Sequence, residues 1–160
     1  MNLKTNIIKI EGKNLEGFFQ NLVTNDIQLL KNNQALYSAM LTPQGKFLAD
    51  FFIFKDESFF LIETNSQDIK EVIDLFKKYD LRNSIKMSIV KDIETYCILY
   101  DYLPIDIKNN LNHNKIIKDN MFFMFSDPRK DKYLARIWAN KKNIKNLPKI
   151  LSKKNSNQLL

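Results

Sequence analysis

Among the side chains of this 160-residue chain whose type and setting could do chemistry, Asp50 is the most informative. It lies in the run Leu41-Thr42-Pro43-Gln44-Gly45-Lys46-Phe47-Leu48-Ala49-Asp50-Phe51-Phe52-Ile53-Phe54. With a side-chain period of two, Phe47, Ala49, Phe51 and Ile53 share one face of a strand, and Leu48, Asp50, Phe52 and Phe54 share the other. Neither face reads as solvated. A carboxylate among such neighbours costs on the order of 2–7 kcal/mol unless it is paired or hydrogen-bonded. Two kinds of partner satisfy it on paper, the internal one favoured by local pattern alone. One is internal: Lys46, four residues back on the same face, or a backbone donor at the strand end. The other is an N–H group of a bound ligand.

The remaining candidates are weaker. His113 is the sole histidine, flanked by Asn112 and Asn114, and reads as a loop residue; no Cys/His metal spacing and no Ser–His or Cys–His pair can be assembled around it. Cys97 is the sole cysteine, which excludes an internal disulfide. Its run Tyr96-Cys97-Ile98-Leu99-Tyr100 predicts a buried thiol packing as a small hydrophobe, in a reducing compartment. Pro43-Gln44-Gly45-Lys46 lacks the second glycine and the Ser/Thr of a phosphate loop and reads as a turn. Phe51-Phe52, Phe59-Phe60 and Phe122-Phe123 have the rings to stack on an aromatic ligand, but phenylalanines in strands read first as core. Asn25-Asp26 is either the mouth of a site or a turn that satisfies its own backbone.

The elements that must position these residues follow from periodicity. Residues 4–10 predict a strand. After Gly12 comes a short helix capped by Asn14, with Leu15, Phe18, Phe19 and Leu22 on one face. Residues 34–42 and 47–55 predict a hairpin closed by the Pro43–Lys46 turn, Asp56-Glu57 the next turn, and residues 58–63 a third strand. Ser66 then caps a helix whose Ile69, Val72, Ile73 and Phe76 cover the sheet. With strands at 84–90 and 95–100, the order is α+β with mostly antiparallel sheets. Beyond Pro104 the signal thins to short strands at 115–118, 121–125 and 133–138, and residues 141–160 read as a lysine-rich helix with a fraying polar tail. Length predicts one domain over 1–140 followed by that basic tail.

No run of 18 or more apolar residues occurs, and the N-terminus passes from Met1 into a strand-like segment without a signal or transit sequence. The expectation is a soluble, unexported protein with no membrane partner, cytoplasmic or, in a eukaryote, of the mitochondrial matrix. The net charge of +7 is uneven: residues 1–107 carry 12 basic and 15 acidic side chains, residues 108–160 carry 13 and 3. A basic tail of this kind suits nucleic acid such as tRNA. Only Arg82, Arg129 and Arg136 are arginines, however, and base-edge and bidentate phosphate recognition favour Arg over Lys, so nucleic acid is the alternative partner and not the leading one.

Several stretches, in order, resemble the N-terminal half of the YgfZ family, folate-binding relatives of the glycine-cleavage T-protein that support iron–sulfur protein maturation. They are Ile10-Glu11-Gly12 leading into Phe18-Phe19-Gln20-Asn21-Leu22-Val23-Thr24-Asn25-Asp26; Tyr37; Leu41-Thr42-Pro43-Gln44-Gly45-Lys46 with Asp50-Phe51; Tyr79-Asp80-Leu81-Arg82; and Asp127-Pro128-Arg129 followed by Arg136. The resemblance spans residues 10–136. It implies a partial T-protein-like, aminomethyltransferase-related fold around a folate cavity, with tetrahydrofolate as the cofactor. Asp50 falls where such sequences place a folate-facing aspartate, and Lys46, Asn25 and Asp26 become rim candidates. The implied partners are folate and iron–sulfur proteins or their assembly factors.

The departures are equally definite. The family's Lys-Gly-Cys-Tyr-x-Gly-Gln-Glu signature does not occur here, and Thr5 stands where some members carry a folate-contacting Trp. Full members are longer, so the resemblance implies an incomplete or split version that works with a second chain supplying the missing half or with a copy of itself. With one thiol it cannot ligate a cluster alone, since clusters generally need about four. Aminomethyl transfer is the less favoured activity, and an inactive structural remnant the remaining alternative.

Overall fold

The computed structural model describes residues 2–31, 34–65, 69–111, 116–118, 122–129, 134–143 and 145. In chain order the elements are β1 (Asn2–Leu3), β2 (Thr5–Gly12), α1 (Leu15–Gln20), a 3₁₀ turn (Ile27–Leu29), β3 (Ala35–Leu41), β4 (Phe47–Lys55), β5 (Phe59–Asn65), α2 (Ile69–Tyr79), β6 (Ile85–Val90), β7 (Ile93–Leu99), a 3₁₀ turn (Tyr100–Tyr102), α3 (Ile105–Leu111), β8 (Ile117–Lys118), β9 (Phe122–Ser126) and β10 (Leu134–Asn140). Every strand pair is antiparallel. The α+β expectation therefore holds. The chain divides into two compact units, Lys4–Lys91, and Met1–Leu3 together with Asp92–Leu160. No helix among the described residues is long and apolar enough to cross a membrane.

In the unit Lys4–Lys91 the sheet order is β3-β4-β5-β2-β6. One face carries Ile8, Ile10, Ala49, Phe51, Ile53, Phe60 and Ile62 into a core closed by the two helices. From α1 it takes Leu15 and Phe19, and from α2 Ile69, Val72 and Phe76, the helical spacing read from the sequence. The Phe76 ring meets Phe19 at 5.3 Å, Phe51 at 5.8 Å and Phe18 at 6.3 Å between centroids, and Phe19 stacks on Phe60 at 5.4 Å. Asn14 caps α1 as expected, accepting from the Gly17 amide at 3.3 Å. The expected cap of α2, Ser66, lies outside the described residues.

The connection from α2 to β6 turns on Asp80. Its carboxylate accepts the Ser84 amide and hydroxyl, each at 2.9 Å, and the Ile85 amide at 3.0 Å. These bonds, the Ser84 amide first, hold its pKa below the ordinary 3.8 against the opposing effect of burial.

The other unit contains the sheet β1-β7-β10-β9-β8. Ala135, Ile137, Ala139, Phe122 and Met124 pack with Ile107 and Leu111 of α3. That helix was not anticipated: seven residues with two core positions are too short for a periodic signal, although Pro104 directly before it is a fitting start. Cys97, expected to be buried, is half-exposed. Its neighbours on the same side of β7 explain why, since Thr95 is buried and Leu99 is 39% exposed, so cover falls away along the strand. His113 and most of the basic stretch 141–160 lie outside the described residues.

Candidate functional site

The β3–β4 hairpin is closed by the turn that the Pro-Gln-Gly-Lys run predicts. Thr42 donates its amide to the Lys46 carbonyl at 2.8 Å, the Thr42 hydroxyl accepts the Lys46 amide at 3.1 Å, and Gly45 supplies the left-handed position at φ 80°. Strict alternation breaks just beyond this turn. Met40 pairs with Ala49 but Leu41 pairs with Phe47, so Leu48 is an extra residue, a β-bulge. Leu48 accordingly packs with Ala49 against the helix-side core and does not share the face of Asp50. Lys46, placed with Asp50 by a two-residue count, loses that parity and is exposed, and Phe47 is 65% exposed.

On the sheet face away from the helices, register brings together Tyr37 of β3, Asp50 and Phe52 of β4, Glu63 of β5, and Thr5 and Ile7 of β2. Phe52, Ile7 and Glu63 are buried, whereas Asp50 and Tyr37 are half-buried. The Tyr37 hydroxyl donates to Asp50 Oδ2 at 2.5 Å, and its ring lies 5.2 Å from that of Phe52. Asp50 is thus met by a diagonal cross-strand neighbour and not by Lys46. In the same face, Thr5 Oγ1 is buried with no hydrogen-bond partner among the described residues. The Asp50 carboxylate and an orphaned hydroxyl, beside the apolar Ile7 and Phe52 and the buried Glu63, fit a flat ligand bearing N–H donors and ring acceptors. Tyr37 belongs to the family pattern, but its role was not foreseen, because pairing it with Asp50 requires the hairpin register.

Asn25 and Asp26 sit where the chain leaves α1 and runs along the edge of β3. Asn25 Nδ2 donates to the Tyr37 carbonyl at 3.1 Å, and the Asn25 amide donates to Ser38 Oγ at 3.0 Å. Asp26 Oδ1 accepts the Gln28 amide at 2.9 Å, capping the 3₁₀ turn. Both side chains brace backbone, and through Tyr37 the first of them braces the strand that orients Asp50.

A second ionic assembly lies in the other unit. Asp127, buried, accepts Arg129 Nε at 3.0 Å and Nη2 at 2.9 Å, and Arg136 Nη1 from β10 at 2.8 Å. Burial pushes its pKa up, but the Arg129 and Arg136 bonds outweigh it and hold the group below 3.8. Nearby on β7, the Tyr96 hydroxyl donates to Glu94 at 2.5 Å, which raises its pKa to about 12. Among the described residues no group of three or more His, Cys, Asp or Glu side chains could hold a metal ion.

Comparison with known proteins bears on the first of these assemblies. A family model described as the GCVT N-terminal domain matches residues 4–99. An aminomethyltransferase from Clostridium botulinum is 32% identical over 77 residues, covering 45% of this chain and 21% of that protein. One from Bacillus velezensis is 37% identical over 67 residues, covering 41% and 18%. Among solved structures, the glycine cleavage system aminomethyltransferase T from Bartonella henselae aligns with a TM-score of 0.73 at 17% identity, over 94% of this chain and 44% of that one. The chain spans less than half the length of these relatives.

Proposed function

The chain belongs to the GCVT N-terminal domain family and has the T-protein-like fold, and from that premise we propose that it binds a reduced folate at Asp50 and acts as a YgfZ-like accessory protein in iron–sulfur cluster assembly or repair. The observation that carries the folate reading is Asp50 itself, a half-buried carboxylate whose orientation is set by the Tyr37 hydroxyl. It would accept pterin N–H donors, with Thr5 Oγ1 offering a further polar contact. Tetrahydrofolate, when bound, supplies the one-carbon chemistry; the protein's own residues orient the pterin and exclude water from one of its faces. Lys46 is assigned to the rim, from which its flexible side chain reaches an anionic tail, and Asn25 and Asp26 act by bracing the neighbouring strand.

The YgfZ-like version is supported by Asp127, Arg129 and Arg136, quoted above for that family and gathered here into one ion cluster. The remainder of the cavity is proposed to come from a C-terminal half, with cluster proteins or their assembly factors as clients. Aminomethyl transfer is the second reading, favoured by the names of the relatives. Release of ammonia from an aminomethyl donor on addition of tetrahydrofolate would establish it. The primary test is calorimetric titration of the chain with 5-formyltetrahydrofolate. Saturable binding weakened at least tenfold by Asp50→Asn, with the thermal midpoint kept, is expected; binding indifferent to the substitution would remove Asp50 from the site.

A further inference from the structure

On the helix side of the sheet, away from Asp50, a cleft of about 470 Å³ opens between the β2–α1 loop and the α2–β6 loop. Its wall is aromatic, from the half-buried Phe18 and Tyr79, and its lips are cationic, from Lys13 and Arg82. Lys78 lies 6.0 Å from the centroid of the Tyr79 ring and adds a third positive charge at the edge. The one lining carboxylate, Asp80, has both oxygens committed to Ser84 and Ile85. Leu81, on the rim, is 90% exposed, the largest exposure of any large apolar side chain among the described residues.

We propose that this cleft docks an acidic protein segment carrying one apolar anchor side chain. Its charge selects an anion. Donors that would cradle a compact phosphate are already engaged: the Ser84 amide and hydroxyl and the Ile85 amide on Asp80, and Asn21 Nδ2 on the Gly17 carbonyl. What remains is a spread of long cationic side chains around an apolar hollow, which suits dispersed carboxylates flanking a hydrophobic residue better than a phosphate group. Leu81 gives the partner an apolar surface to cover. Its failure would leave the folate reading untouched, because that reading rests on the opposite face of the sheet.

The test titrates the isotope-labelled full chain with a glutamate-rich peptide bearing one central leucine, and separately with inorganic phosphate and with oligouridylate of equal charge. The expected result is saturable movement of the amide resonances of residues 13–21 and 79–84 by the peptide. Binding should weaken about tenfold in Arg82→Glu and in Lys13→Glu, by a smaller factor in Leu81→Ala, and least in Arg82→Lys, with thermal midpoints retained. The absence of saturable movement, insensitivity to Arg82→Glu, or binding of phosphate or oligouridylate at least as tight as the peptide would overturn the proposal. So would concentration-dependent movement of the same resonances without peptide, which would assign the cleft to a second copy of the chain.

Discussion

Asp50 acquires its meaning from a residue thirteen positions earlier in the chain. The half-buried Asp50 carboxylate is oriented by a hydrogen bond from a hydroxyl whose ring is itself in contact with Phe52. Removing that donor separates orientation from charge. Tyr37→Phe should cost about 0.5–1.5 kcal/mol in urea unfolding, and should weaken reduced-folate binding several-fold while leaving the carboxylate in place. Asn25→Ala, which frees the Tyr37 backbone but touches neither side chain of the pair, should show a comparable stability loss with a smaller change in affinity. Equal losses of affinity in both variants would mean that Tyr37 acts through β3 as a whole and not through its hydroxyl.

The elements were legible where a period persisted and obscure where it was interrupted. Leu15–Phe19 and Ile69–Phe76 announce their helices because apolar residues recur at helical spacing, and Pro43–Lys46 announces its turn because Gly45 can take a positive φ. Leu48 could not be recognised as a bulge, since in a run of apolar residues an inserted Leu leaves no trace in the pattern; the misassignment of Lys46 follows directly from that. The Asp127–Arg129–Arg136 cluster was visible as a motif but not as a contact, because it depends on Arg136 lying in a separate strand. Gly12 is a further position where geometry decides. A Cβ there would stand 2.4 Å from the Ser84 carbonyl oxygen and 3.1 Å from Ile85 Cα, at the pair where β2 ends against β6. Gly12→Ala should therefore cost about 1–3 kcal/mol by overpacking. Faster amide exchange in residues 85–90 than elsewhere in that sheet would locate the damage.

At the scale of the whole molecule, among the described residues each of the two units contains one carboxylate with a depressed pKa, Asp80 in the first and Asp127 in the second. The unfolded chain binds a proton at these groups near pH 3.8, whereas the folded chain holds it off to lower pH. Their contribution is therefore fully present above the unfolded value and is lost as pH falls below about 4 toward the folded values. Stability should be level in pH between about 5 and 7 and decline steeply below 4. Asp127→Asn separates the part due to the arginine cluster. It removes the Asp127 charge from Arg136, whose side chain is 6% exposed, and breaking a buried pair in this way typically costs 3–5 kcal/mol. The variant should be less stable at neutral pH yet lose less on acidification, because one of the groups that must be protonated is gone. Urea midpoints measured from pH 2.5 to 7, read by fluorescence of Trp138, which is buried in the same unit, check both halves of the expectation. An unchanged acid slope would show that Asp127 keeps its charge no more firmly in the folded chain than in the unfolded one.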